Sequence, residues 1–280
     1  MSNSGITGGF LSLLTSFFLS FVIFPVQAGE VGWFQEADSV LVIKKGVKNI
    51  PAYSFRDRKD IAEVRFESPS MVTSIGDYAF IGCENIRKIE LPESLRMLGE
   101  GTFRECVGLE SIAIPSKVKK LPKFLFYWCE GLREVKLPSA LTVIERGCFG
   151  FCRSLESISF PAGIKNIGMN AFSCCESLTE IVLPASLTEL ESYAFSDCRN
   201  LKRITFPKNS SLLGELILSG CDNLESISEL SAVPPKFDCN SFIFEPDEEG
   251  RYSEVILHVS PGKVSAYRNA PGWKLFQIIK

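Results

Sequence analysis

Apolar positions along this chain follow two interleaved periods. In "LTEIVLP", Leu178 to Pro184, the end of the stretch alternates: Ile181 and Leu183 are apolar, and Glu180 and Val182 lie between them. Period-2 alternation predicts a short strand with Ile181 and Leu183 facing one way. Pro184 ends that strand, because proline has no N–H to give to a ladder. A second apolar pair, Leu187 and Leu190, predicts a second extended segment, and "SYAFSDC" then predicts a tight turn that returns the chain.

The longer period is 23 residues. Phe80, Phe103, Phe126, Phe149, Phe172 and Phe195 are each 23 apart, Leu218 continues the series, and Phe55 opens it with a 25-residue step that accommodates Ser68–Pro69 as an insertion. Three residues after each of the 23-spaced positions stands a cysteine: Cys83, Cys106, Cys129, Cys152, Cys175, Cys198 and Cys221. Further columns keep the step, among them Leu109, Leu132, Leu155 and Leu178, then Ile112, Val135, Ile158 and Ile181, then Pro115, Pro138, Pro161 and Pro184. The unit reads F-x-x-C-x-x-L-x-x-I-x-L-P-x-x-L-x-x-I. One such unit cannot bury its own apolar face, whereas stacked units can. The length and the strand signature predict a leucine-rich-repeat solenoid, of the α/β repeat class but β-rich, with parallel strands stacked every 23 residues and terminal caps.

The texts "SIGDYAFIGC" and "LTEIVLPASLTELESYAFSDC" resemble the BspA-like leucine-rich repeat family, over about Leu41 to Ile227. The ending "VSPGKVSAYRNAPGWKLF" resembles that family's usual C-terminal segment. The resemblance implies a bacterial exported or cell-surface protein of the kind engaged in adhesion and host interaction. It implies no catalysis.

The ends depart from the repeat. Lys44 stands where the proline belongs in the first unit, and Arg58 replaces its cysteine. Residues 29–40, with Trp33 and Phe34, are expected to cover the first repeat, 41–230 to form the array, and 231–280 to cap it with a strand, a turn at Pro261–Gly262 and a short amphipathic helix. Residues 1–28 read as a signal peptide: Phe10 to Phe24 is uncharged and apolar, and "VQA" suits cleavage after Ala28. No basic residue precedes Lys44, so retention of residues 10–24 as an anchor is the alternative. No second long apolar run follows, and no membrane span is expected after cleavage.

Charge and chemistry narrow the function. Thirty basic and thirty-three acidic residues give a net charge of −3, without the basic footprint of a nucleic-acid binder. One histidine, His258, leaves little for imidazole chemistry, and it is expected as a partly exposed structural residue of the capping strand. Cysteines spaced by 23 form a line rather than the converging set that zinc requires. Disulfides between rungs and buried free thiols fitting a tight turn both remain open; the expectation carried forward is free thiols. Cys148, Cys174 and Cys239 lie outside the column; Cys148 and Cys174 are read as facing out of the core or as ordinary turn residues. The acidic run Glu245–Gly250 lacks the ligand spacing of a calcium loop. No cofactor and no enzymatic activity are expected.

The residues facing away from the core are the candidates for binding. Lys88, Glu90, Glu134, Lys136, Glu180, Val182 and Arg203 are expected on one continuous parallel-sheet surface. "PSKVKKLPK", with Lys117, Lys119, Lys120 and Lys123, is expected to join Arg96 and Lys165 in a small basic patch, suited to an acidic protein or glycan. The expected partner is a protein of the host matrix or the cell envelope, or a glycan. A structural role in an envelope complex is the alternative. The sequence is silent on oligomeric state.

Overall fold

Most repeats lay down a first strand, a proline-ended corner, a second strand and a turn, and successive repeats stack these pieces in register. This is seen in a computed structural model that describes residues 32–208, 212–229, 231, 233–237, 254–276 and 278–279. Segment 1–28, Cys239 and the Glu245–Gly250 run lie outside the described residues. The first strands include Glu63–Phe66, Ser111–Ala113, Glu134–Lys136, Glu180–Val182 and Arg203–Phe206. They pair in parallel at the 23-residue step, with Val135 opposite Ile112 and Ile181 opposite Ile204. The second strands, only two residues long, do the same: Ile144 lies opposite Leu121 and Ile167.

The turns form a third ladder. In each, the residue two before the phenylalanine, the phenylalanine itself and the residue two after it donate N–H bonds to carbonyls of the next turn. Tyr193, Phe195 and Asp197 bond to Glu215, Ile217 and Ser219 at 2.8, 3.0 and 2.6 Å. The outer two of these three positions take positive φ in every turn, for example 59° at Tyr193 and 56° at Asp197. Asp and Gly tolerate that conformation; bulky side chains do so at a cost.

The core lies between the ladders. The phenylalanine rings stack along it with centroids 5.0–5.8 Å apart, each fully buried. The cysteine column lies beside them, and each thiol donates to the carbonyl of the phenylalanine one turn earlier: Cys175 Sγ to Phe149 O and Cys198 Sγ to Phe172 O, both at 3.2 Å. A small weak donor at this position satisfies a buried carbonyl that a methyl group would leave with one bond. The first turn has no phenylalanine before it to accept such a bond. Arg58 stands there instead and reaches Glu36 at 2.8 Å and Asp60.

Two expectations need correction. Cys148 does not face outward; it is fully buried. It belongs to a column that directly precedes the phenylalanine (Ala79, Thr102, Leu125, Cys148, Ala171, Ala194 and Ile217), all pointed into the core. The first-strand surface is also not one continuous sheet. It is divided after Lys88–Ile89 and again around residues 157–159, which keep Ile158 buried but pair with neither neighbour. The second-strand sheet is divided once among the described residues, between Met97–Leu98 and Lys120–Leu121. Elsewhere in this sheet the residue after the strand donates back one rung, as Gly99 does to Ile75 and Glu145 to Leu121, at 2.8 and 3.0 Å. Pro122 has no N–H, so Leu98 receives no such bond. At this one interface both strand ladders are open while the turn ladder persists, and here the ring separation, Phe103 to Phe126, is widest at 5.8 Å.

At the N-terminal side, Phe34–Ala37 pairs antiparallel with Val40–Ile43, and Trp33 and Phe34 lie on the Phe55 ring at 5.4 and 5.2 Å. At the other side the parallel sheet runs on: Ile256–His258 pairs with Ser226–Glu229, and Ile278–Ile279 pairs in turn with Ile256–His258. Helix Val264–Asn269 buries Tyr267, and the 3₁₀ turn Trp273–Leu275 buries Trp273, whose indole N–H donates to Pro235 O at 2.9 Å. His258 is exposed.

Candidate partner-binding surface

The expected outward residues do point outward. Lys88, Glu90, Glu134, Lys136, Glu180, Val182 and Arg203 are all exposed on the first strands. Much of their charge is spent within the face. Lys88 pairs with Glu90 at 2.8 Å and lies 3.8 Å from Glu63, which Arg65 holds at 2.8 Å. Arg65, chiefly through that hydrogen bond, keeps the Glu63 carboxyl below its usual range. Glu180 and Arg203 pair across one rung at 3.2 Å. Glu134 and Lys136 make no ion pair among the described residues and stand between rows of small side chains, Ser111 and Ala113 on one side and Ser157 and Ser159 on the other. Val182 is 57% exposed. Lys119 and Lys120 are not part of this surface. They lie at the second strands, where Lys120 pairs with Glu145 at 2.8 Å.

A third feature, on the turns, was not singled out from the sequence. Phe124, Tyr127, Trp128 and Phe151 form an aromatic group on two successive turns. The Tyr127 and Trp128 rings lie 6° from parallel at 6.2 Å, and Phe151 meets both edge-on at 5.4 and 5.6 Å. Arg104 lies over Tyr127, Arg146 over Phe124 and Arg153 over Phe151, at 5.4–5.9 Å. Glycines make the seats. A Cβ on Gly147 would come within 2.6 Å of the Phe124 ring, and one on Gly150 within 2.8 Å of Tyr127. Trp128 remains 44% exposed and holds a φ of 63°, in a column that also carries Asp57, Gly82, Glu105, Phe151, Cys174 and Asp197. The signal was present in "FLFYWC": at Tyr127 and Trp128 the repeat abandons its small and polar residues. Its meaning depended on where neighbouring turns put their glycines.

No cluster of His, Cys, Asp and Glu suited to a metal exists among the described residues. The described cysteines are free. Burial pushes their thiols up, to about 12 for Cys83 and well above the ordinary range for Cys106 and Cys152. Cys174, half-buried, is also raised by burial, the reverse of a reactive thiolate. No described helix is long and apolar enough to cross a membrane.

Comparison with known proteins agrees with the repeat geometry. The model of the BspA type leucine rich repeat region matches in six copies, over residues 48–176 and 119–242. Among solved structures, the chain is similar to a leucine-rich repeat protein of T. pallidum (27% identity, 73% of this chain and 83% of that one, TM-score 0.45). It is similar to a leucine-rich repeat protein from Bacteroides ovatus (22% identity, 80% and 74%, TM-score 0.51). It also aligns with a leucine rich cell surface protein from Faecalibacterium prausnitzii (16% identity, 78% and 87%, TM-score 0.36). No curated protein matches. The family match spans well over half of the chain, and its repeat is the one the three ladders are built from: this protein belongs to the BspA type leucine-rich repeat family.

Proposed function

We propose that this chain is an exported, non-catalytic interaction module that holds a protein partner against its turn-side aromatic group, with the first-strand face as a flanking surface. The observation that carries the reading is Trp128. A bulky residue in a left-handed turn costs stability, about 1–2 kcal/mol by general sterics, and its ring is left half in water. Packing on Tyr127 and Phe151 covers only part of that ring. Binding accounts for the rest: Trp, Tyr and Arg dominate the centres of protein interfaces, because their large, stiff surfaces bury much area at little entropic cost. Here Phe124 and Tyr127 lie on glycine seats, Trp128 and Phe151 pack beside them, and three arginines lie over the rings. Glu134, Lys136 and Val182 supply further contacts, and salt pairing elsewhere on the strand face leaves it soluble.

Residues 1–28 direct export in this reading, and the family's exported, cell-surface character supports it. Adhesion to a host matrix protein, or to a glycan, is one use of such a surface; docking into a cell-envelope complex is the other. Affinity capture separates them. The mature chain is immobilised and offered host matrix proteins and, separately, cell-envelope fractions. Retention from the first supports adhesion and from the second assembly. Replacing Trp128 by Asn should weaken retention at least tenfold, as loss of a central interface tryptophan costs about 2 kcal/mol or more. Retention unchanged in that variant refutes the aromatic group as the docking point, and retention from neither fraction refutes the module reading.

A further inference from the structure

The rings of the turn-side group form a chain across the turns, and its two ends differ in chemistry. Phe124 meets Tyr127 edge-on at 5.3 Å, and Tyr127 leads to Trp128 and Phe151 at 6.2 and 5.4 Å. Trp128, exposed, stands at one end. At the other, beside Phe124, stand Lys123 and Arg146, also exposed and one rung apart in a single column. The Phe124 N–H donates to the Arg146 carbonyl at 3.0 Å, so the two rungs adjoin directly here.

The neighbouring cations are committed to carboxylates of this chain. Arg104 pairs with Glu105 at 2.9 Å, and Arg153 pairs with Glu176 and lies 3.6 Å from Glu130. Lys123 and Arg146 make no ion pair among the described residues. The carboxylates nearest to them are engaged elsewhere. Glu145 holds Lys120 with Oε1 at 2.8 Å and accepts the Lys123 backbone N–H with Oε2 at 3.2 Å. Glu100, level with Lys123 on the preceding rung, accepts from the Tyr78 hydroxyl. The Arg146 guanidinium lies over the Phe124 ring at 5.9 Å, and Gly147 seats that ring. A guanidinium stacked in this way is pre-organised to grip a carboxylate with two N–H groups, and a lysine beside it adds a third donor.

We propose that the turn face binds a peptide segment of a partner protein that carries an acidic side chain, held by Lys123 and Arg146, and an aromatic or large aliphatic one, set against Trp128 and Phe151. The inference rests on the reading of the aromatic group as the docking point and names the chemistry of what docks. The ring-to-ring steps from Phe124 to Trp128, 5.3 and 6.2 Å, place the two anchors within about four residues of an extended chain. The surroundings decide against a polyanion. Glu105 precedes Trp128 in its own column, and Glu130 follows it by two residues. A sulfated or uronic glycan repeats its charge along the chain, would meet these carboxylates, and brings no apolar side chain to the rings.

The test uses the full chain as bait for a phage library of random nine-residue peptides. Enriched sequences should pair Asp or Glu with Trp, Tyr, Phe or Leu within about four positions. Dye-labelled copies are then titrated by fluorescence anisotropy, with heparin as comparator. Lys123→Gln with Arg146→Gln should weaken them about tenfold or more and leave the thermal melt unchanged. That double variant should also bind each peptide and its copy with the acid replaced by the amide equally well, whereas the natural chain prefers the acid. No enrichment over an unrelated bait overturns the proposal. So do enriched peptides that lack an acid, an affinity unchanged in the double variant, or tighter binding of heparin than of any enriched peptide. Trp128→Asn separates this inference from the reading beneath it. Peptides that need Trp128 but tolerate the double variant refute the acidic anchor and leave the docking point standing; peptides indifferent to both refute both.

Discussion

Raising the pH above 9 should unfold this protein through its cysteines. Eight described thiols are buried: Cys83, Cys106, Cys129, Cys148, Cys152, Cys175, Cys198 and Cys221. For each of them burial raises the folded-state pKa above the 9.0 of an exposed thiol, to about 12 at Cys83. Between those values the folded state keeps protons that the unfolded state has lost. Stability is therefore complete below about pH 9 and falls as pH rises. At pH 10 the unfolded thiol gains about 1.4 kcal/mol by ionising, so eight thiols together withdraw about 11 kcal/mol, comparable to the whole stability of an ordinary domain. Tyr78, pushed up to about 12 chiefly by burial, adds in the same direction. The assay is urea unfolding at steps from pH 8 to pH 10 with reductant present. The midpoint should fall steeply above pH 9. The double variant Cys175→Ala and Cys198→Ala should flatten the slope by about 2.7 kcal/mol per pH unit, the share of two protons. A stability that stays level from pH 8 to pH 10 would refute the reasoning, and would mean the thiols are not buried as free groups.

Three other outcomes follow from the same packing. Phe172→Ala, which empties a fully buried ring position between Phe149 and Phe195, should cost about 3–5 kcal/mol in urea unfolding, whereas Glu180→Ala on the exposed face should stay within about 0.5 kcal/mol. Equal effects would contradict the assignment of faces. Gly214→Ala should cost about 1–3 kcal/mol, because its new methyl would lie 2.2 Å from the backbone nitrogen of Ser192 in the turn below; an unchanged melt would show that the turns have slack. Trp128→Asn should leave the melting temperature within a few degrees, since relief of the left-handed backbone offsets lost contact with Tyr127 and Phe151. A large fall in melting temperature would make Trp128 a structural residue rather than a binding one.

The fold was legible because each rung meets the same neighbours as the last. Phe149 and Phe172 stack at the period their spacing sets, and Ile181 lies opposite Ile204 as the columns require. The residues facing away from the core were legible for the same reason, from the alternation around Ile112 and Ile181. Position relative to other turns was not. Cys148 was misread because the column before the phenylalanine varies in type, from alanine to leucine, while staying buried from Ala79 to Ile217. One missing donor at the break, Pro122, is visible in the text "KKLPK" only once it is known that the residue after the second strand must give a bond. The aromatic group needed the third dimension: Tyr127 lies over Gly150, 23 positions from its own, and a one-dimensional pattern has no term for such a seat.

The turn ladder has an electrical consequence. Phe55 donates to Ala79, Phe80 to Thr102, Phe103 to Leu125, and so on to Phe195 and Ile217, with the N–H always pointing toward the later turn. Each acceptor's peptide unit carries the next donor, so three columns of peptide dipoles run head to tail along the stack. An α-helix sums its dipoles in the same way, but with its N–H groups toward the start of the chain. Here the sense is inverted: partial positive charge collects at the C-terminal turns and partial negative charge at the first. Dipoles so aligned also polarise one another. The strand ladders run the other way, since Arg96 and Gly99 donate back to Thr73 and Ile75, so the turn ladder's field is local to the turn face, with Arg56 and Arg58 on its first, negative turn.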